Sequence, residues 1–145
     1  MTRTAKGTTL YLALWRTTRE AQRIAEADIA ASGLCLTDFA VLEALLNAGP
    51  QRLSTIAEKV MLTSGSMTTA VDRLAARDLV RRTPDESDAR ARVIELTDAG
   101  RALIKPVFAA HESALDAAFA GLNDDERASL LTLLLKARTE LRAQG

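Results

Sequence analysis

Residues 62–74 read LTSGSMTTAVDRL, five hydroxyl side chains and a glycine that run into a helical-looking Ala-Val-Asp-Arg-Leu. At roughly 100° per residue, Ser66, Thr69, Arg73 and Arg77 share one arc, flanked by Ser64 and Thr68. Hydroxyl and guanidinium groups donate to, and hydroxyls also accept from, base edges and phosphate oxygens. Small side chains let a helix approach the floor of a major groove, and free N–H groups at its start suit a phosphate. Gly65 removes a side chain where a nucleic-acid backbone would pass. Met67, Ala70, Val71 and Leu74 fall on another arc, which is apolar and faces a core. That packing outweighs the weak helix propensity of Ser, Thr and Gly. On this reading Arg73 is free of the fold, and its removal weakens binding with little change in melting temperature.

A second set of candidates follows at 88–92, where Asp88, Arg90 and Arg92 stand at the basic end of a polar turn. Elsewhere the chemistry is sparse. The single cysteine, Cys35, in GLCLTDF, reads as a small core residue, with a thiol sensor of oxidants or quinones as the alternative. The single histidine, His111, lies on the stripe Ile104, Phe108, His111, Leu115, Phe119 and reads as a satisfied core or interface residue. One His and one Cys do not make a metal site, and no cofactor motif is present. A phosphate loop, a Ser-His-Asp or Cys-His set and a pair of cleft-facing carboxylates are all missing, so the sequence does not read as an enzyme.

The elements that must position these groups are mostly helical. Apolar residues at helical spacing predict a long helix over about 7–31, ended near Gly33, and a shorter one carrying Phe39, Leu42, Leu45 and Leu46, with Thr37 as its cap. A third begins after Leu53 with Ser54 as cap, and the hydroxyl-rich helix at 63–78 comes two or three residues after it. From Leu79 the period changes. Val80 and then Val93, Ile94 and Leu96, around a polar turn with Pro84, read as a hairpin. Thr97 caps a long helix that Pro106 should kink, and Asn123 with Glu126 is close to a capping box for the last one. The predicted order is α-α-α-α-β-β-α-α, with no internal repeat. Two helices joined by a short turn and backed by a hairpin match a winged helix-turn-helix.

Composition agrees with one mainly α domain. The chain has 145 residues, 48% of them hydrophobic and 26% charged, as in ordinary globular proteins. Net charge is zero, yet 15 of the 19 cationic residues are Arg, the residue suited to bidentate contacts with phosphate or guanine. No apolar run approaches the roughly 18 residues that span a bilayer, and MTRTAKGTTL lacks the apolar centre of a secretory signal. The expectation is therefore a cytoplasmic protein with no membrane partner. Leu130, Leu131, Leu133, Leu134, Leu135 and Leu141 form an arc too wide for one-sided packing and point to a homodimer.

LSTIAEKVMLTSGSMTTAVDRLAARDLVRR followed by DARARVIELTDAG resembles the MarR family of bacterial winged helix-turn-helix regulators. The most specific part is Asp88-x-Arg90-Ala91-x-x-Ile94-x-Leu96-Thr97-x-x-Gly100. The resemblance implies a fold that is mainly α with a small β-hairpin wing. A single domain over 1–145 would divide into dimerisation helices at 7–34 and 100–145 and a winged helix-turn-helix lobe at 36–99. It implies that Arg90 at the wing tip enters the minor groove and that Asp88 orients it through a salt bridge. It also implies a homodimer that interlocks its first and last helices, and a repressor that binds an inverted repeat of double-stranded DNA. A pocket between the dimerisation helices and the lobe, for a small aromatic or phenolic effector, would draw on Tyr11, Trp15, Phe39, Phe108 and His111. Two departures are visible. Ala89 replaces a second wing Arg, and Asp78 stands where members often carry Gly, which speaks against a left-handed helix cap there. A winged-helix module that binds protein instead of DNA is the remaining alternative.

Overall fold

The computed structural model describes residues 5–60 and 63–145. Six helices, α1 (Gly7–Ala30), α2 (Leu36–Ala48), α3 (Leu53–Val60), α4 (Ser64–Ala76), α5 (Asp98–Ala118) and α6 (Asp124–Arg142), accompany a small sheet of β1 (Gln51–Arg52), β2 (Val80–Pro84) and β3 (Arg92–Leu96), which packs against α2, α3, α4 and α5. All strands are antiparallel in the order β1-β3-β2, with Val80 opposite Leu96 and Gln51 opposite Ile94. β1 is absent from the sequence reading because two residues carry no periodicity. It exists because the chain leaving Gly49-Pro50 meets the free edge of β3.

Three caps expected or readable from sequence are made. Thr97 Oγ1 accepts from the Gly100 N–H at 3.0 Å, and Thr63 Oγ1 accepts from the Ser66 N–H at 3.2 Å. Asn123 and Glu126 form a reciprocal capping box, which satisfies two of the N–H groups that a helix start leaves over. Two others are corrected. α2 starts at Leu36 behind Cys35 with no side-chain cap, so Thr37 is already helical. Ser54 likewise lies inside α3, because β1 leads straight into that helix. Helix α5 runs continuously through Pro106.

The core gathers the apolar arc of α4 with α2, α3, the sheet and one turn of α5. Val41, Leu42, Ile56, Met67, Ala70, Val71, Leu74 and Ile104 have no exposed surface at all. The division of α4 into an apolar and a hydroxyl arc is therefore as the sequence predicts. Where α4 ends, Asp78 takes φ +56°. The Leu79 N–H reaches Leu74 O at 3.0 Å and the Asp78 N–H reaches Ala75 O at 3.0 Å, the paired bonds of a left-handed Schellman cap. The expectation against such a cap is overturned. Asp tolerates the left-handed region better than most residues, and the cap carbonyl of Asp78 is held by the Thr97 hydroxyl at 2.5 Å.

Gly100 explains itself by close approach. A Cβ there would stand 1.9 Å from Leu79 O, so α5 can leave the sheet only where this side chain is missing. At the far end, Arg127 closes the corner between α5 and α6, its Nε donating to Phe119 O and Leu122 O at 3.2 Å and its Nη2 to Asp116 O at 3.0 Å. Beyond that corner α6 has no buried residue. No helix among the described residues is long and apolar enough to cross a membrane.

Candidate nucleic-acid interface

Helix α4 is the centre of the site. Thr63 fixes its first turn by accepting from the Ser66 N–H and donating to Ser66 Oγ at 3.0 Å. Thr69 Oγ1 donates back to Gly65 O at 3.1 Å, which leaves its oxygen able to accept from outside. Ser66, Thr68, Thr69, Arg73 and Arg77 are all exposed on the outer side. Ser64 opens the helix, and its side chain lies outside the described part, as do residues Met61 and Leu62.

Arg73 differs from the sequence reading. Its Nε lies 3.1 and 3.0 Å from the two carboxylate oxygens of Asp38 on α2, and its Nη2 lies 2.5 Å from Oδ1. Asp38 is 3% exposed, and Arg73 is its only salt-bridge partner among the described residues. The hydrogen bonds, and then the charge, of Asp38 push the guanidinium pKa above its already high ordinary value. The expectation that Arg73 can be removed without thermal cost is therefore corrected, because removal strands a buried carboxylate. The next residue back, Asp72, pairs with Arg82 of β2. Adjacent residues thus brace α4 toward α2 on one side and toward the wing on the other.

The wing is tethered where its loop leaves β2. Asp85 accepts from the Ser87 N–H at 3.0 Å, from Arg52 Nε at 2.7 Å and from Ser87 Oγ at 2.9 Å. These bonds, the backbone one foremost, hold its carboxyl below the usual carboxylate range. Toward the tip, Asp88 Oδ1 accepts from the backbone N–H of Arg90 at 3.0 Å, a turn of the kind that Asp forms two residues on. Among the described residues no ion pair joins Asp88 to the Arg90 guanidinium. The salt bridge that the resemblance implies is replaced here by a backbone contact. Arg90 and Arg77 pair with no carboxylate of the described chain, and Arg92 Nη1 reaches only Ala89 O at 3.4 Å. The Arg residues near α4 and the wing thus fall into two sets. Arg52, Arg73, Arg81 and Arg82 are paired, while Arg77, Arg90 and Arg92 present free charge.

Sequence reasoning missed Asp38, Arg52, Asp72, Arg82 and Asp85. Asp38 carries a local signal only as an acidic residue in the first turn of α2, favourable to the helix dipole. Nothing near it in sequence announces a partner 35 positions on.

The proposed pocket residues do not gather into one cavity. Phe39 and His111 touch edge to face, with ring centroids 4.7 Å apart, and His111 Nδ1 lies 3.2 Å from Asp28 Oδ2. Phe108 packs beside this core. His111 is thus a satisfied core residue, as the stripe predicts. Tyr11 and Trp15 are 66% and 48% exposed and sit about 20 Å or more up α1 from Asp28 at 1.5 Å per residue. Cys35 overturns its expectation as a core residue. The thiol is exposed, and Arg73 Nη2 stands 3.7 Å from its Sγ.

A lobe built this way, with a hydroxyl-lined helix beside a wing with an unpaired Arg at its tip, defines a winged helix-turn-helix nucleic-acid reader. The MarR family model matches residues 34–91. The regulator MhqR of Bacillus subtilis is 33% identical over 133 residues, which cover 92% of this chain and 91% of that one. The B. subtilis HTH-type regulator YkoM is 38% identical over 101 residues, 70% of this chain and 66% of its own length. Among solved structures, that of Bordetella bronchiseptica BpsR, described with regulation of its DNA binding by 6-hydroxynicotinic acid, superposes with a TM-score of 0.80 at 27% identity. The alignment covers 94% of this chain and 97% of BpsR. The chain belongs to the MarR family of helix-turn-helix transcriptional regulators, which are not enzymes.

Proposed function

We propose that this regulator is a repressor that binds an inverted-repeat operator as a homodimer in the bacterial cytoplasm and releases it on binding a small aromatic or phenolic effector. One observation carries the DNA reading: α4 exposes a hydroxyl and guanidinium face, and the wing tied to it through Asp72 and Arg82 carries Arg90, which pairs with no carboxylate of the described chain. Ser64, Ser66, Thr68, Thr69, Arg73 and Arg77 would face the major groove, and Arg90 and Arg92 the adjacent backbone and minor groove. An Arg in a narrow minor groove exploits its enhanced negative potential. Asp88, by holding the Arg90 N–H, sets the shape of the tip.

Support for the homodimer comes from the ends of the chain. Leu131, Leu133 and Leu141 are 59%, 64% and 63% exposed. Leu115, Phe119, Leu122, Leu130 and Leu134 line an apolar groove between α5 and α6. Monomeric proteins rarely leave so continuous an apolar surface in water. A two-fold axis through these helices would set two copies of α4 into successive major grooves, with half-site centres about 10 bp apart. The aromatic acid that regulates BpsR supports an effector of that class for this chain.

A mobility shift on the DNA flanking the protein's own gene, with and without phenols and quinones, tests the reading. Arg90→Ala should lower affinity and make the slope of log K against log salt shallower, by up to about one for each subunit whose wing cation no longer meets a phosphate. Unchanged affinity and slope would take the wing out of the interface. The exposed Cys35 beside Arg73 favours a second reading, regulation through thiol oxidation. Loss of an oxidant response in Cys35→Ser, with repression kept, would establish it.

A further inference from the structure

Asp38 is a buried carboxylate on a helix that carries none of the proposed DNA contacts. Burying a carboxylate with a single partner gains little stability over an apolar residue of similar size, so packing does not account for it. Its geometry does more. Both oxygens are taken up by the Nε and Nη2 edge of Arg73, and the Arg73 side chain is nevertheless 45% exposed. The Nη1 group makes no hydrogen bond to the described chain. Arg73 lies one turn beyond Thr69 and two beyond Ser66 on the outer arc of α4, within the proposed groove-facing set. A free Arg loses rotamer freedom when a contact fixes it. Here one edge of the fork is already held from behind, and the other is left for a ligand.

We propose that Asp38 is a positioning residue for DNA recognition: it clamps Arg73 in one rotamer so that its Nη1 edge meets a phosphate or guanine in the major groove. This rests on the DNA-binding reading above and adds the residue behind the contact. The clamp also has an electrostatic signature. Asp38 offsets the charge of Arg73, so it weakens indiscriminate attraction to phosphate while it sharpens one contact. Removing it should therefore lower specific binding and leave non-specific binding equal or stronger.

The test uses a duplex selected from random-sequence DNA by the full-length protein, against a scrambled duplex of the same length. Asp38→Asn should bind the selected duplex about three- to tenfold more weakly per half-site, the range for freezing one long side chain, and the scrambled duplex no more weakly. Arg73→Ala should lose at least as much and melt earlier. Adding Asp38→Asn to Arg73→Ala should restore melting temperature but not binding. That separation is what a purely structural ion pair would not produce. Arg73→Lys, which keeps the charge and loses the fork, should fold and show the same selective loss, and it serves if Asp38→Asn is unstable. Wild-type binding of the selected duplex by Asp38→Asn, Arg73→Lys or the double variant would overturn this inference alone. A wild-type protein that selects no duplex would overturn the DNA-binding reading and this inference with it.

Discussion

The lobe of residues 36–99 and the helices at the two ends of the chain obey opposite rules of burial. In the lobe, the apolar arc of α4 is covered by α2, α3 and the sheet, and its large side chains have no exposed surface. At the ends, Leu10, Tyr11, Trp15 and the leucines of α6 stand in the open, although α6 has a reciprocal capping box and a well-held corner. Both regions are good helices by local criteria. They differ in whether the chain supplies the second surface that an apolar face requires. Local order and burial are thus separate problems, and one chain solves both only for the lobe.

Variants can break this contrast at either end. The largest effect is expected from Leu131→Glu with Leu134→Glu. Leu131 and Leu134 are 59% and 39% exposed, so the four leucines of the proposed dimer would have about two leucines' worth of surface left to bury, about 3 kcal/mol, and burying glutamates in their place would cost about as much again. The double variant should therefore lose about 6 kcal/mol of association, roughly ten-thousandfold in dissociation constant. Sedimentation should show a wild-type dimer and a variant monomer at micromolar concentration, and a folded wild-type monomer there would refute the argument. Next is Met67→Asp, which places an unpaired charge in the closed core. It should cost about 4 kcal/mol or more and unfold the lobe, measured by denaturant titration.

Two finer substitutions sharpen the comparison at the junction of the lobe and α5. Gly100→Ala drives a methyl into Leu79 O and should destabilise by about 1–3 kcal/mol, even though Ala is the better helix former. A neutral or raised melting temperature would show that α5 can shift away from the sheet. The smallest effect is a gain. Asp78→Gly relieves a left-handed backbone and should stabilise by up to about 1 kcal/mol, with DNA affinity unchanged.

Much of this was legible because it is encoded over a few residues. The spacing of Met67, Ala70, Val71 and Leu74 names the buried side of α4, and Ser66, Thr69, Arg73 and Arg77 the open one. Asn123 with Glu126 and Thr97 before Gly100 announce where helices begin. The run from Asp88 to Gly100 marks the hairpin. Helix boundaries shifted by a residue or two where Thr37 and Ser54 looked like caps, since neighbouring chain decided the entry instead.

The amino-acid sequence by itself determined the helices, their inner and outer arcs, the hairpin and the polarity of the candidate interface, because periodicity and capping act within one or two turns. Tertiary structure alone decided which arginines remain free. Arg73 meets Asp38 only because α4 packs across α2, and Arg52 meets Asp85 only because β1 joins the edge of β3. It also decided that Asp78 closes α4 in the left-handed form and that Cys35 faces water beside Arg73. Such pairings depend on the distance and angle between elements far apart in the chain, which no local pattern of residue types contains.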